Sequence, residues 1–236
     1  MNDTIRVLMN RKSIRVFENK QIEKEIKEII LQATLRAPSA GNAMMYSIID
    51  VTDQKIKDAL AKSCDNQPFI ARASMILIFC ADIHRLIEKY KQANCQNIPK
   101  PELSDLLLAS NDAIIAAHTS CIAAQSLGIG SCYIGDIIEN FEFHQELLNL
   151  PQHIAPICML VFGYPTIQQK NRPQTSRLPM NMIVMENKYQ ELSSEQLNHY
   201  MTNEKAVAFF KRKYASDFSR EMARSAKIIY KNWHQD

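Results

Sequence analysis

The stretch SDLLLASNDAIIAAHTSCIAAQSL, residues 104–127, holds no glycine and no proline. Leu107, Leu108, Ile114, Ile115, Ala116, Ala117, Ile122 and Ala123 spread around the circumference of the helix it predicts. So many small apolar residues imply a helix buried on most sides, the spine of the fold. A two-fold packing partner could cover part of it, and a single-domain core accounts for it equally. His118 within it reads as a core or interface histidine. The helix stops at Gly128-Ile129-Gly130, since glycine just past a helix end takes the backbone conformation other residues avoid.

Working outward, a short helix is predicted over residues 2–10 and a longer one over 22–36, where Ile22, Ile26, Ile29, Ile30 and Ala33 keep three-four spacing. Pro38 stops the latter. Residues 46–51 predict a strand and 53–63 a short helix. SMILIFCA (74–81) and PICMLVFG (156–163) are near-continuous apolar runs, as strands buried on both faces are. The segment 64–69 reads as a polar loop, 84–97 and 142–149 as helices, and 131–136 as a strand or bare turn. Residues 166–181 form a long loop with basic tips. A short strand is expected at 183–185, then helices from 192 to the end. The order gives α+β, a mixed β-sheet flanked by helices around the long central one.

The formal net charge of the 236 residues is only +3, too small to point to nucleic acid or an anionic membrane. No run reaches the roughly 18 apolar residues of a membrane span, and the N-terminus lacks the pattern of a secretory signal. The six cysteines form no C-x-x-C pair and sit mostly in apolar runs, so they read as buried reduced thiols. These features predict a cytoplasmic protein.

Near the start, Arg11-Lys12-Ser13-Ile14-Arg15-Val16-Phe17 places three cations and a hydroxyl within five residues. Guanidinium forks suit phosphate oxygens, and cations this close repel unless an anion sits between them. Ile14 and Phe17 can anchor the segment. It reads either as a phosphate clamp or as a solvated basic turn. With five glycines, the chain has no G-x-G-x-x-G and no P-loop, so a phosphate would be held by side chains. The basic clusters at 11–15 and 170–177 are the candidates. Ala37-Pro38-Ser39-Ala40-Gly41-Asn42 reads as a loop, or as backbone kept bare for a flat ligand.

Four segments in order carry a resemblance. They are Arg11–Phe17, Ala37–Asn42, Ser126-Leu127-Gly128-Ile129-Gly130-Ser131-Cys132-Tyr133-Ile134-Gly135, and Val161-Phe162-Gly163-Tyr164-Pro165 with its basic sequel. Together they resemble the FMN-dependent nitroreductase family, in particular its oxygen-insensitive NADPH nitroreductases and flavin reductases with a helical C-terminal extension. The segment from Arg177-Leu178-Pro179 to Tyr189 resembles the same subgroup. The resemblance implies a homodimer with FMN at the interface, an FMN-binding core over 1–190, and a helical extension over 191–236 packed on the core or the partner.

Carried over by position, Arg11, Lys12, Ser13, Ile14 and Arg15 would hold the FMN phosphate and the pyrimidine edge of the ring, with Arg15 near N1. Ser39 would contact the flavin from its loop. Gln67, Pro68 and Phe69 would line the ring or ribityl chain. Tyr133, Ile134, Gly135 and Asp136 match a Y-I-G-G turn, with Asp136 in place of the second glycine. A K-x-R precedes Leu-Pro in the subgroup; here Thr175 stands at the lysine position, Arg177 is favoured by spacing, and Arg172 is second.

The resemblance further implies a hydride from NADPH or NADH to the flavin, then two-electron reduction of a flat acceptor such as a nitroaromatic, a quinone or a flavin, in a ping-pong cycle. No protein acid, base, nucleophile or metal is required. Cys132 lacks a neighbouring histidine and is not read as a nucleophile. A flavin-binding or flavin-processing protein without nicotinamide turnover is the alternative on the same scaffold.

Overall fold

The computed structural model of the chain describes residues 1–214 and 217–234; the expected helical tail also spans 215–216 and 235–236, which lie outside the described residues. In chain order the elements are α1 (Asp3–Asn10), α2 (Lys24–Thr34), β1 (Tyr46–Asp50), α3 (Gln54–Ser63), α4 (Pro68–Ala71), β2 (Met75–Asp82), α5 (His84–Gln92), α6 (Leu103–Ser126), β3 (Gly130–Ile134), α7 (Phe141–Leu147), β4 (Ile154–Gly163), α8 (Ile167–Asn171), α9 (Ser194–Tyr200), α10 (Asn203–Tyr214) and α11 (Asp217–Trp233).

The strands lie in the order β1-β2-β4-β3, each pair antiparallel. The chain near Ser13 adds a parallel bridge to Ser131 on β3, which makes the sheet mixed. Every residue of β2 is buried. Alternate side chains Met75, Leu77 and Phe79 join Leu160 and Phe162 in one cluster with Ile30 of α2 and Ala113, Ala116, Ala117 and Ala124 of α6. Ile76, Ile78 and Cys80 turn the other way and meet Leu60, Ala61 and Ile70 of α3 and α4. The period of two along a strand thus explains why an unbroken apolar run is needed when helices cover both faces.

Helix α6 begins with a capping box between Glu102 and Asp105. Its inward face is built from small residues, Ala109, Ala113, Ala116, Ala117, Ser120, Cys121 and Ala124, which let the helix lie close to the sheet. Its large residues point outward: Leu103, Leu107, Leu108, Ile114 and Ile115 are between 39% and 57% exposed in the single chain. The expectation of a helix buried on most sides therefore holds only for the small-residue face. By length and mean hydropathy α6 is also apolar enough to cross a membrane, which a search for unbroken apolar runs does not register. It packs on α2, β2 and β4 in the centre of the fold.

Helix α11 returns to the core. Trp233 is fully buried with Met45, Ala81 and Ala109, and its carbonyl accepts from His153 Nδ1 at 2.7 Å. Ser225 Oγ accepts from the Phe141 amide and donates to the Ile138 carbonyl. Two local expectations change. Residues 183–185 form no strand: Ile183 and Val184 are exposed and lie beside no pairing edge, following a 3-10 turn at Met180–Met182. The segment 64–69 is not all loop, because Pro68 starts α4, with proline in the first turn where its missing N–H costs nothing.

Candidate cofactor site

The basic stretch is seated by its apolar residues. Ile14 is 3% exposed, its amide donates to the Ser131 carbonyl at 2.9 Å, and its side chain lies on Gly130. Phe17 lies on Gly163 in the same manner and bridges Pro165. The Glu18 amide closes the register on the Tyr164 carbonyl at 2.8 Å. Arg11, Lys12, Ser13 and Arg15 are therefore held on an extended segment along β3, not on a solvated turn.

These four line a cleft of about 480 Å³ together with Leu8, Met9, Arg172, Gln174, Thr175 and Arg177. Both arginines offered by the basic loop reach it. Five hydrogen bonds from three side chains tie the loop to the N-terminal stretch across about 160 residues of chain. Lys12 Nζ donates to the Lys170 carbonyl at 2.6 Å and to that of Arg172. Arg172 Nη2 donates to the Ser13 carbonyl at 2.5 Å. Gln174 Nε2 donates to the Met9 and Arg11 carbonyls at 2.6 and 3.3 Å. Among the described residues no carboxylate forms an ion pair with Arg11, Arg15 or Arg177. Three guanidinium groups on one cleft without counter-ions have the charge and the donor geometry that an anion would meet.

The other expected residues form two separate groups. Ser39 lies outside this cleft, on a loop whose 3-10 turn spans Ala40–Asn42. Its Oγ accepts from the Met44 amide at 3.1 Å. That loop is pinned by Asp112 of α6, a 2% exposed carboxylate that accepts from the Ala40 and Met45 amides at 3.0 and 3.1 Å. On the other side, Gln67 Nε2 donates to Asp136 Oδ2 at 2.7 Å, which joins the Gln67–Phe69 segment to the turn after Tyr133, Ile134 and Gly135. A Cβ built on Gly135 would meet nothing within 4 Å, so this turn faces open space. Cys132 is buried, and burial raises its thiol despite the nearby Arg15 and Arg11, so it stays a protonated packing residue.

Sequence reasoning missed Asp112, Gln174 and the two seating glycines. Asp112 carried a signal, since a carboxylate in the middle of an apolar helix needs donors wherever it is buried. Gln174 carried none.

A family model described as the nitroreductase family matches residues 8–164, well over half of the chain. The chain belongs to the nitroreductase family. It is 33% identical to the oxygen-insensitive NADPH nitroreductase of Salmonella typhimurium, over 85% of this chain and 80% of that one. It is 30% identical to the FMN reductase (NADPH) of Bacillus subtilis, over 97% and 91% of the two chains. Among solved structures, the NADPH:FMN oxidoreductase from Vibrio harveyi complexed with NAD+ matches at a TM-score of 0.79 and 28% identity, covering 98% of this chain and 97% of that one. Nitroreductase A from Vibrio parahaemolyticus matches at 0.78 and 31%, covering 94% and 91%. The stretch shared with the nitroreductase family model takes in Arg11–Arg15, α6 and the β3 turn, and ends before Arg172 and Arg177. Arg172 is held at the cleft by the hydrogen bonds described above, and Arg177 lines it five residues further on.

Proposed function

We propose that this nitroreductase-family chain is an FMN-dependent NAD(P)H oxidoreductase that reduces flat acceptors, such as nitroaromatics, quinones or flavins, by a two-electron ping-pong cycle. The observation that carries the reading is the cleft on which Arg11, Arg15 and Arg177 stand without carboxylate partners. Its donors fit a phosphate monoester, and the bare turn at Gly135 beyond it fits the approach of a flat ring. When bound, FMN supplies the redox chemistry, accepting a hydride from the nicotinamide and passing two electrons to the acceptor.

The chain's own residues bind and orient. Arg11, Ser13 and Arg177 hold the phosphate, and Arg15 lies toward the pyrimidine edge, where its charge stabilises the reduced cofactor electrostatically. Lys12 and Arg172 already bind backbone carbonyls, so they act mainly as struts that keep the loop over the cleft. The backbone of Ile14, the segment Gln67-Pro68-Phe69 and the turn Tyr133–Asp136 complete the walls. Ser39 reaches a flavin only if a second copy brings its loop across. The outward face of α6 supports that homodimer, because five large apolar residues there stay 39–57% exposed within one chain. Residues 1–190 would then be the flavin-binding core and 191–236 a helical extension, which α11 anchors through Trp233. Six free thiols fit a reducing compartment, the cytoplasm.

The test is an absorption spectrum of the purified protein before and after anaerobic NADPH, then NADH. Flavin bands that bleach on either donor are the expected result. Flavin bands that resist both would leave a flavin-binding or flavin-processing protein. A colourless protein that cannot be loaded with FMN would overturn the assignment of the arginine cleft.

A further inference from the structure

Beyond the Gln67–Asp136 contact lies a group of three carboxylates that the flavin reading does not use. Asp65, Asp136 and Glu139 each present an oxygen within 4.8 Å of the other two. Asp65 comes from the loop after α3, and the other two flank the 3-10 turn Asp136–Ile138. Glu139 is only 1% exposed, and its Oε1 is buried with no hydrogen-bond partner. Among the described residues no lysine or arginine forms an ion pair with any of the three. Lys62 stands on the wall of the adjoining cleft without pairing to them. That cleft, about 600 Å³, gives the group access to solvent between Asp65 and Glu139.

An unpaired carboxylate oxygen removed from water is costly, and two more carboxylates beside it increase the cost. The Gln67 amide donates to one oxygen of Asp136 and to the Cys64 carbonyl, and it reaches neither Asp65 nor Glu139. What the group lacks is positive charge at its centre. All its ligand atoms are oxygens, the donor type of hard cations, and no imidazole or thiolate is among them. Calcium binds oxygens at about 2.3–2.6 Å in a flexible shell of six to eight that accepts waters beside carboxylates. Magnesium, at about 2.0–2.1 Å, needs a tighter and more regular cage.

We propose that Asp65, Asp136 and Glu139 form a binding site for a hard divalent cation, with calcium as the ion whose flexible oxygen shell suits carboxylates drawn from two separate segments. The ion would hold the loop after α3 against the turn after β3, and through Asp136 it would fix the amide of Gln67. Only this last link rests on the flavin reading.

Calorimetric titration of chelator-treated protein with calcium chloride, at constant ionic strength, tests the site without flavin or nicotinamide. The expected result is one saturable site per chain, a calcium-dependent rise in melting temperature, and an affinity at least about tenfold weaker in Asp65→Asn. Asp65 is exposed, so that variant keeps its fold. Glu139→Gln should abolish the calcium response. No saturable heat, or an affinity unchanged in Asp65→Asn, would overturn the proposal and leave a proton shared among the carboxyls. Because calcium binding is read directly, its failure is distinct from a failure of flavin binding or of reduction by NADPH.

Discussion

The side chain of Ile14 lies on the backbone of Gly130 so closely that a Cβ added there would stand 2.6 Å from Ile14 Cγ1 and 2.8 Å from its Cβ. The contact joins the first residue of β3 to the centre of the basic stretch and seats the segment that carries Arg11 and Arg15 against the sheet. Both atoms met are near the root of a buried side chain and cannot swing away. Gly130→Ala should therefore cost about 1–3 kcal/mol by overpacking, read as a lower urea midpoint, and should weaken FMN binding as the stretch lifts. Gly163→Ala, under Phe17, should act in the same direction.

The unpaired arginines should dominate cofactor affinity. A hydrogen bond to a charged group contributes about 1.5–3 kcal/mol, so Arg15→Gln or Arg177→Gln should weaken FMN binding roughly 10- to 100-fold. Added salt should weaken it further in the parent protein than in either variant. Fluorescence titration of flavin-free protein measures both. Lys12→Met should also lower affinity, with a fall in melting temperature that the arginine variants lack, because Lys12 ties two loop carbonyls down. Unchanged FMN affinity in Arg15→Gln would remove Arg15 from the role.

Asp112 fixes the Ser39 loop through two backbone amides. In Asp112→Ala both amides lose their acceptor, and the stability loss should reach about 2–5 kcal/mol. Asp112→Asn keeps one acceptor and turns an NH₂ toward the other amide, so it should fall between. Thermal melts rank the three proteins, and proteolysis between residues 37 and 45 should accelerate in the same order.

The outward face of α6 predicts a specific failure. Leu103, Leu107 and Ile114 share one stripe by helical spacing and are about half-exposed in the single chain, at 50%, 57% and 47%. Ile114→Asp should leave the folded chain intact and yield a monomer in sedimentation. If the proposed homodimer forms through this face, FMN affinity should fall with it, since Ser39 does not line the arginine cleft of its own chain.

Burial holds the imidazole of His144 below its ordinary pKa of 6.5. It is fully buried on α7, with Nε2 2.8 Å from Ser63 Oγ. The unfolded chain then takes up this proton at a higher pH than the folded one. The contribution of neutral His144 is complete above about pH 6.5 and is lost as pH falls below it. Urea midpoints at about pH 7.5 and about pH 5.5 should differ more for the parent protein than for His144→Gln.

Much of the fold was legible because its signals are local. Apolar runs at 74–81 and 156–163 require cover on both faces whatever surrounds them, and β2 and β4 are buried accordingly. Charge crowding left the basic stretch open between a phosphate clamp and a solvated turn, and the ordered motifs pointed to the family. The expected strand at 183–185 failed because a strand exists only if another edge is there to pair with it, and none is.

Sequence by itself determined the buried strands, the long helix, the capped and glycine-terminated helix ends, and which residue types could meet a phosphate. These follow from periodicity, backbone freedom and charge, which neighbouring residues carry with them. Tertiary structure alone decided which way α6 turns, with small residues toward the sheet and large ones outward, because either face is apolar enough to be buried. It alone brought Arg172 and Arg177 over Arg11 and Arg15, through hydrogen bonds spanning about 160 residues. It also placed Asp65 beside Asp136 and Glu139, since contacts between distant segments depend on how the layers stack and leave no local trace in the chain.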